Sequence, residues 1–534
     1  MRLSPRWTAF SAFTVVFAVL AAFVFWGAWS PDFAPVMPDH SITYPADSVA
    51  RWFRGWMTTG KFFPGDLVDL TGMPYLWQEL KFALFDYLAA LALAWFLLGR
   101  GLARPAAYGA GLLLGFSGYW LTLFSAGHFG WFQWMSCGVF AFGLADRAVR
   151  VGKLRHWLLL GAVVAWAGFN QQDLWLLFTV FTAFYFLWCC QRERRFPWKG
   201  VLLAAATFVL VALPNFLSIR SIIAGRTEEV VRPTAASTVD GKSGAEAETA
   251  KRERNWEFVT NWSMPPEDTL EFLVPGVHGD TSCPLVLSVG TRTGSGVTPY
   301  TGRLGRPMNA TQGNYRQHSL YVGAVTLLFA LVGVVVLCLK RRRSDCAFFA
   351  VAAVVFYLLS LGRFFEPAYR LVFALPAGDL IRCPVKWHHL TELSLAVLAA
   401  YGIDAVLSRF AAVRWVLPAV VAVVVLGAAD LARVDHRYCA PLSVENARRF
   451  GFQGQDTVLR RQDFQNPQVV EMVRRGLVVS QANYLGHPDH FLVSVLKPYD
   501  KDDRQADPLA VTLGVISLIA TLGVVIIGLK RERT

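Results

Sequence analysis

The chain has 534 residues, of which 54% are hydrophobic and only 17% are charged. Soluble globular domains carry about 25% charged residues, so the composition excludes an ordinary soluble protein and predicts a helical membrane protein. The formal net charge of +13 does not indicate nucleic-acid binding, because the basic residues cluster in short loops beside apolar blocks, as cytoplasmic loops do.

Apolar blocks recur along the chain, each close to the ~20 residues that a helix needs to cross a bilayer. The first, from Ala9 to Trp29, is too long and too aromatic for a signal-peptide core and lacks a small-residue cleavage site, so we expect a retained helix. In all, about twelve membrane-spanning helices are predicted, at residues 9–29, 80–98, 105–125, 130–146, 156–169, 173–190, 201–218, 319–339, 347–361, 387–407, 415–432 and 509–529.

The loops between these blocks alternate in charge. Short basic clusters follow every second span, for example Arg100 with Arg104. The positive-inside rule therefore predicts that both termini are cytoplasmic and that the long loops 30–79 and 219–318 lie outside. The Pro-interrupted stretch 362–385 is too polar to cross, and we expect it to re-enter or to lie in the interface.

These boundaries divide the chain into three predicted parts. Residues 1–432 form an all-α polytopic transmembrane domain with extracytoplasmic loops, 433–508 a small extracytoplasmic segment, and 509–534 a last helix with a cytoplasmic tail.

The first outer loop contains a predicted amphipathic helix between Ala46 and Thr59. Large apolar residues such as Trp52 and Trp56 fall on one helical face, and charged residues such as Arg51 fall on the other. A helix of this kind is suited to lie at the membrane surface.

No motif in the chain indicates a cofactor. The eight cysteines include no CxxC pair and no Cys/His spacing typical of zinc sites, and no P-loop, GxGxxG, GxSxG or HExxH motif is present. A divalent metal is required by nothing in the sequence. A site made from His388, His389 and Glu392 is only a weak alternative, since adjacent histidines point in different directions on a helix.

Two acids of the first outer loop are candidates for catalysis, Asp39 and Asp47. A carboxylate at the outer surface can accept a proton from a sugar or lipid hydroxyl within hydrogen-bond reach. Alternatively both are solvated loop acids, with Asp47 capping the amphipathic helix.

Three further ionisable residues lie in or beside the spans: Asp86, His128 and Asp173. Such residues are costly in a membrane and usually face a cavity or a partner. They could line one polar pocket at the outer side, or each could be a helix cap or an interface residue.

The start of the tenth span combines two cations with polar residues. Arg382 and Lys386 lie at its outer mouth, and His388, His389 and Glu392 follow within two turns. Cations at a helix N-terminus favour a phosphate-binding site. The alternative is that both side chains snorkel to lipid headgroups.

Several stretches of the chain resemble bacterial YfhO-like integral membrane proteins. Their motifs are IRCPVKWHHLTELSLAVLAAYGIDAVL, then NWEFVTNWSMPPEDTLEFLVPGVHG followed by NYRQHSLYVGAVTLLFAL, and the first-loop sequence VMPDHSITYPADSVARWFRGWMTTGKFFP; SAGHFGWFQWM and FNQQDLWLLFTVFTAFYF match weaker positions. The resemblance covers most of residues 30–410.

That family is similar to the GT-C class of membrane glycosyltransferases, which take a sugar from a polyprenyl-phosphate carrier at the outer leaflet. The resemblance implies that Asp39 is the essential first-loop acid, with Asp47 as second choice, and that Arg382 and Lys386 face the lipid phosphate. It implies a lipid-linked sugar donor, an extracytoplasmic acceptor and the bacterial inner membrane. Lys386 departs from the pattern, in which Arg is frequent.

Three other functions remain open at this point: a transporter or flippase for lipid-linked sugars, a non-catalytic membrane scaffold, and an oligosaccharide ligase or polymerase. An Asp39→Asn variant separates the first two from glycosyl transfer, because transport and scaffolding do not need the acid.

Overall fold

The protein is seen here as a computed structural model. It describes residues 5–25, 33–34, 53, 56–62, 76–123, 129–169, 172–231, 244–281, 298–304, 316, 318–340, 344–375, 378, 381–439, 442–443, 457–460, 467, 478–483, 490–495 and 507–529.

Most of these residues are helical. The helices are α1 (Pro5–Val24), α2 (Leu76–Gly99), α3 (Arg104–Gly115), α4 (Gly118–Thr122), α5 (Phe129–Val151), α6 (Leu154–Ala167), α7 (Gln172–Arg192), α8 (Trp198–Val231), α9 (Gly244–Val259), α10 (Ala324–Lys340), α11 (Ser344–Ser360), α12 (Glu366–Ala374), α13 (His388–Arg409), α14 (Val416–Cys439) and α15 (Pro508–Leu529). Short 3-10 helices occupy Pro266–Phe272, Gly362–Phe365 and Pro384–Trp387.

Seven helices in the described part of the chain are long and apolar enough to cross a membrane, or up to eight if one bent pair counts as a single span. They contain Trp7–Val24, Phe82–Gly99, Asp173–Arg192, Trp198–Leu217, Pro384–Arg409, Val416–Cys439 and Pro508–Gly528. The protein is therefore a helical multi-pass membrane protein, as its composition predicted. Each of the twelve predicted segments overlaps a helix, but only seven of them coincide with these long apolar helices. The other five are 105–125, 130–146, 156–169, 319–339 and 347–361, the last of which lies in the bent pair.

The bent pair lies where the sequence predicted a segment that does not cross. Helix α11 ends at Ser360, and the chain turns by 110° into residues Gly362–Ala374. Gly362 has a positive φ of 51°, and a Cβ there would overlap the Ser263 hydroxyl and the Pro384 ring. Glycine therefore permits both the backbone turn and its close packing.

Helix α13 is the centre of the bundle, and 78% of the stretch Pro384–Arg409 that contains it is buried. It packs against α3, α10 and α11. Gly333 of α10 and Gly402 of α13 bring these two backbones together, because a Cβ on either would overlap a carbonyl oxygen of the other helix. Small residues allow the same close approach in other membrane helix pairs.

The predicted span at 105–125 is divided into α3 and α4, with Phe116 and Ser117 between them. All five residues of α4 are buried. The backbone N–H of Gly118 donates to the Tyr321 carbonyl oxygen at 2.9 Å, and the Ser319 N–H donates to Thr122 Oγ1 at 2.9 Å. The stretch before α10 thus holds the two ends of α4.

Two small antiparallel sheets supplement the helices, and the sequence analysis predicted neither. Strand β1 (Phe33–Ala34) pairs with β2 (Leu442–Ser443), so the first long loop meets the segment after α14. Strands β3 (Thr457–Arg460), β4 (Val478–Asn483) and β5 (His490–Val495) form a sheet in the order β3-β5-β4.

Only part of the predicted amphipathic helix is described, and residues 56–59 are helical. Gly60 follows with a φ of 67° and packs against the first turns of α15. The Asp507 N–H donates to the Met57 carbonyl oxygen at 3.2 Å. The end of this stretch is thus joined to the start of the last helix.

Candidate functional site

Lys386 and Asp173 are 213 residues apart in sequence and form an ion pair. The ammonium group of Lys386 binds Asp173 Oδ2 and also lies 5.0 Å from the centre of the Trp131 ring. The two side chains are 8% and 13% exposed, so each charge is largely removed from water and relies on the other. Two candidate residues from different parts of the sequence therefore meet.

The backbone around Lys386 is fixed by its neighbours. Cys383 has a left-handed φ of 62° and its N–H donates to the Val259 carbonyl oxygen at 3.0 Å. The Val385 N–H donates to the Trp262 carbonyl oxygen at 3.0 Å, and the Tyr369 hydroxyl donates to the Ile381 carbonyl oxygen at 2.9 Å. The mouth of α13 is therefore held between the end of α9 and α12.

Arg382 differs from Lys386 in its exposure. Its side chain is exposed, and its guanidinium carbon lies 5.6 Å from the centre of the Phe258 ring. Its charge also contributes to the electrostatic surroundings of Asp173. The helix mouth therefore presents one cation to the surroundings and keeps a second one buried behind it.

Glu392 has a role that the sequence did not suggest. Its Oε1 accepts hydrogen bonds from Ser117 Oγ at 2.6 Å and from the Tyr119 N–H at 3.0 Å. The carboxyl group thus satisfies backbone and side-chain donors at the start of α4. This contact explains why the chain can interrupt a span at Ser117 and still bury the break.

The two adjacent histidines lie in an aromatic enclosure and are fully buried. The His389 ring centre is 4.4 Å from that of Tyr119, and 5.7 Å from those of Trp120 and Trp131. The His388 ring is 4.6 Å from Phe272. In the described ranges, no three His, Cys, Asp or Glu side chains are grouped so that they could hold a metal ion.

Asp86 belongs to the same region. It is 2% exposed, and its Oδ1 accepts a hydrogen bond of 3.0 Å from the Trp120 indole N–H. Ring contacts then connect Trp120 through His389 and Trp131 to Lys386. Six predicted residues are therefore brought together around α4: Asp86, Asp173, Lys386, His388, His389 and Glu392. Arg382 lies at the edge of this group, and Asp39, Asp47 and His128 lie outside the described residues.

Sequence reasoning missed one acid of this region, Asp435. The predicted span ends at residue 432, whereas α14 continues to Cys439 and buries Asp435 completely. The rule that an ionisable residue inside a span indicates a function would have selected it had the boundary been drawn correctly.

A second buried network lies in the loop between α9 and α10. Arg316 is fully buried, pairs with Glu271, and stacks its guanidinium 4.5 Å from the centre of the Tyr300 ring. Tyr300 donates to Asp268 Oδ2 at 2.7 Å. Burial raises the pKa of the Asp268 carboxyl, although the Arg316 charge 3.7 Å away acts in the opposite direction. No local pattern predicts a contact between residues this far apart.

Comparison with known proteins gives no relative: no family model, no curated protein and no solved structure matches the chain. The resemblance to YfhO-like proteins therefore depends on the quoted motifs alone.

Proposed function

We propose that the chain is a GT-C-like glycosyltransferase of the bacterial inner membrane. It transfers a sugar from a polyprenyl-phosphate carrier to an extracytoplasmic acceptor, which is a lipid, a glycan or a cell-envelope polymer, with Asp39 as general base. Twelve spans and cytoplasmic termini belong to the same proposal. The observation that carries it is the mouth of α13, where exposed Arg382 stands before the buried pair of Lys386 and Asp173.

This arrangement suits a phosphate attached to a long apolar chain. Arg382 is accessible and carries a planar set of donors that matches phosphate oxygens. Lys386 is the second cation, and an incoming phosphate competes for it with Asp173. The surrounding aromatic side chains exclude water, which strengthens the attraction between these cations and the charge that develops on a departing phosphate.

In the proposed reaction the acceptor hydroxyl gives its proton to Asp39. The hydroxyl oxygen bonds to the anomeric carbon while the bond from that carbon to the phosphate oxygen breaks, which inverts the configuration. The phosphate leaves with the bonding electrons and is stabilised by Arg382 and Lys386. Loss of the general base should slow the reaction by about 10²–10⁴-fold.

The test uses the full chain in proteoliposomes with radiolabelled polyprenyl-phosphate glucose and polyprenyl-phosphate mannose, and a cell-envelope extract as acceptor. Wild type should release polyprenyl phosphate and label the extract, and Asp39→Asn should not. Asp66→Asn is the matched control from the same loop and should retain activity. If Asp39→Asn and wild type label the extract equally, the proposed catalysis is wrong. If Asp39→Asn merely moves intact donor across the bilayer as wild type does, the protein is a flippase.

A further inference from the structure

Three buried carboxyl groups from three different helices meet around α4. Asp86 of α2 binds the Trp120 side chain, and Glu392 of α13 binds the Tyr119 backbone N–H. Asp435 lies on α14, which packs against α4, and its carboxyl group lies within electrostatic range of Asp86 and Glu392. Their exposed fractions are 2%, 1% and 0%, so none of the three is solvated.

These acids have fewer partners than buried charges require. Within the described residues, neither oxygen of Asp435 and only one oxygen of Glu392 has a hydrogen-bond partner. His388 is fully buried, both of its ring nitrogens lack such a partner in the same part of the chain, and its Nε2 lies 3.8 Å from Glu392 Oε1. A buried carboxylate without compensation is among the most costly groups in a protein interior.

Another buried acid shows what compensation looks like in this protein. Asp146 is only 1% exposed, but it pairs with Arg100 at 3.1 Å and with Arg150 at 2.5 Å. It also accepts a hydrogen bond from the Tyr185 hydroxyl at 3.3 Å. Asp146 therefore has the partners of an ionised carboxylate, whereas the cluster around α4 has none of comparable strength among the described side chains.

We infer that Asp86, Glu392 and Asp435 form a proton-binding cluster inside the membrane-embedded bundle, in which the carboxyl groups of Glu392 and Asp435 each hold a proton at neutral pH. A bound proton turns each carboxylate into a neutral group, and its O–H can donate toward a neighbouring oxygen or toward His388. A shared metal ion does not fit, because the described acids and histidines are not grouped closely enough to coordinate one.

The other titratable side chains nearby do not replace these protons. The rings of Tyr119 of α4 and His389 of α13 contact each other at a tilt, and His388 faces Glu392. Tyr108 of α3 stacks on Phe13, and Tyr321 before α10 donates to Asp430 at 2.5 Å. On α14 itself, His436 contacts the Val24 carbonyl oxygen and Arg433 binds Asp430. Among these groups, the arginine binds Asp430 and does not contact Asp435.

Infrared spectroscopy of the reconstituted full chain tests the proton directly, because a protonated carboxyl group has a C=O stretching band that a carboxylate lacks. Chains labelled with ¹³C-aspartate or with ¹³C-glutamate separate the two residue types without a mutation. At neutral pH each label should shift one such band, and both bands should respond to D₂O. Absence of either isotope-shifted band from wild type would overturn the inference.

Two variants then assign the bands. Glu392→Gln should remove the glutamate band, and Asp435→Asn should remove or reduce the aspartate band. Asp430→Asn is the control on α14, since Asp430 is a surface acid already bound to Arg433 and should contribute no band. Bands that survive both cluster variants would show that the protons are elsewhere. Because the labelled wild type is informative alone, a variant that fails to fold does not prevent a decision.

Discussion

Lys386 is held in a largely buried position by a single opposite charge. A buried ion pair of this kind adds little net stability, but removing one partner leaves an uncompensated charge inside the protein. The cost of that loss is about 3–5 kcal/mol, whereas replacing both partners by uncharged groups of similar size is often nearly neutral. The pair therefore predicts strong coupling between residues 173 and 386.

We expect Lys386→Met and Asp173→Leu each to destabilise the protein by roughly 3 kcal/mol or more, and the double variant to recover most of that loss. Thermal or denaturant unfolding of the four proteins in one detergent measures the coupling. The exposed pair of Arg370 and Glu366 is the control, because surface pairs contribute at most about 1 kcal/mol. Additive effects at 173 and 386 would contradict a buried pair.

Arg382 makes a separate prediction about ligand binding. If it contacts the lipid phosphate, Arg382→Gln should weaken binding of a polyprenyl monophosphate roughly tenfold or more, the loss of one charged hydrogen bond. Arg409 is a matched control at the other end of the same helix, where its guanidinium lies 5.7 Å from the Phe410 ring centre. Quantitative binding to labelled lipid in nanodiscs should separate the two variants, and equal losses would count against a phosphate site at Arg382.

Candidate site residues could be predicted from the sequence only where a physical rule applies to one residue at a time. Asp86 and Asp173 were selected because charges inside or beside apolar spans are costly, and Lys386 because cations at a helix N-terminus favour phosphate binding. The structure places all three in one region. The partners of buried polar residues could not be predicted. Glu392, for example, accepts a hydrogen bond from Ser117, which is 275 positions away, and no local pattern encodes such a contact. Whether Asp39 meets Arg382 stays a prediction.

At the scale of elements, the contact between α10 and α13 depends on two glycines. A Cβ on Gly402 would overlap the Phe329 carbonyl oxygen, and backbone cannot move aside as a flexible side chain can. Gly402→Ala should therefore cost about 1–3 kcal/mol or more, although alanine favours a helix over glycine by about 1 kcal/mol. Unfolding measurements should show the opposite sign for Gly523→Ala, where a Cβ meets nothing within 4 Å. Equal effects at both positions would contradict the close packing.

Helices could be predicted where the length of an apolar segment determines them. Breaks and strands that depend on contacts between distant residues could not be predicted. Each apolar segment chosen by hydropathy overlaps a helix, but the break at Ser117 depends on Glu392 and on the stretch around Tyr321. The strands β3, β4 and β5 lie in a polar segment, and their pairing joins residues 457–460 to residues 490–495. Strands stabilised by such partners have no strong signal of their own.

For the whole molecule, three segments meet at one end of the helical bundle. Strand β1 of the first loop pairs with β2 after α14, and the Tyr438 hydroxyl at the end of α14 lies 3.4 Å from Asp280 in the loop before α10. These contacts require that all three segments share one side of the membrane. We predict that the basic loops after α2, α5 and α7 lie on the opposite side, and the positive-inside rule predicts that this side is the cytoplasm.

This arrangement predicts the outcome of a topology experiment on the full chain. A short epitope inserted at Thr301, which is exposed in the loop before α10, should bind antibody on intact spheroplasts. The same epitope at Arg194, exposed in the basic turn after α7, should bind only after permeabilisation. Reversed accessibility would show that the protein has the opposite orientation, with the mouth of α13 in the cytoplasm. Cations on that side commonly bind lipid headgroups. A site for an outer-leaflet carrier would then be untenable, even though every contact around Lys386 would be unchanged.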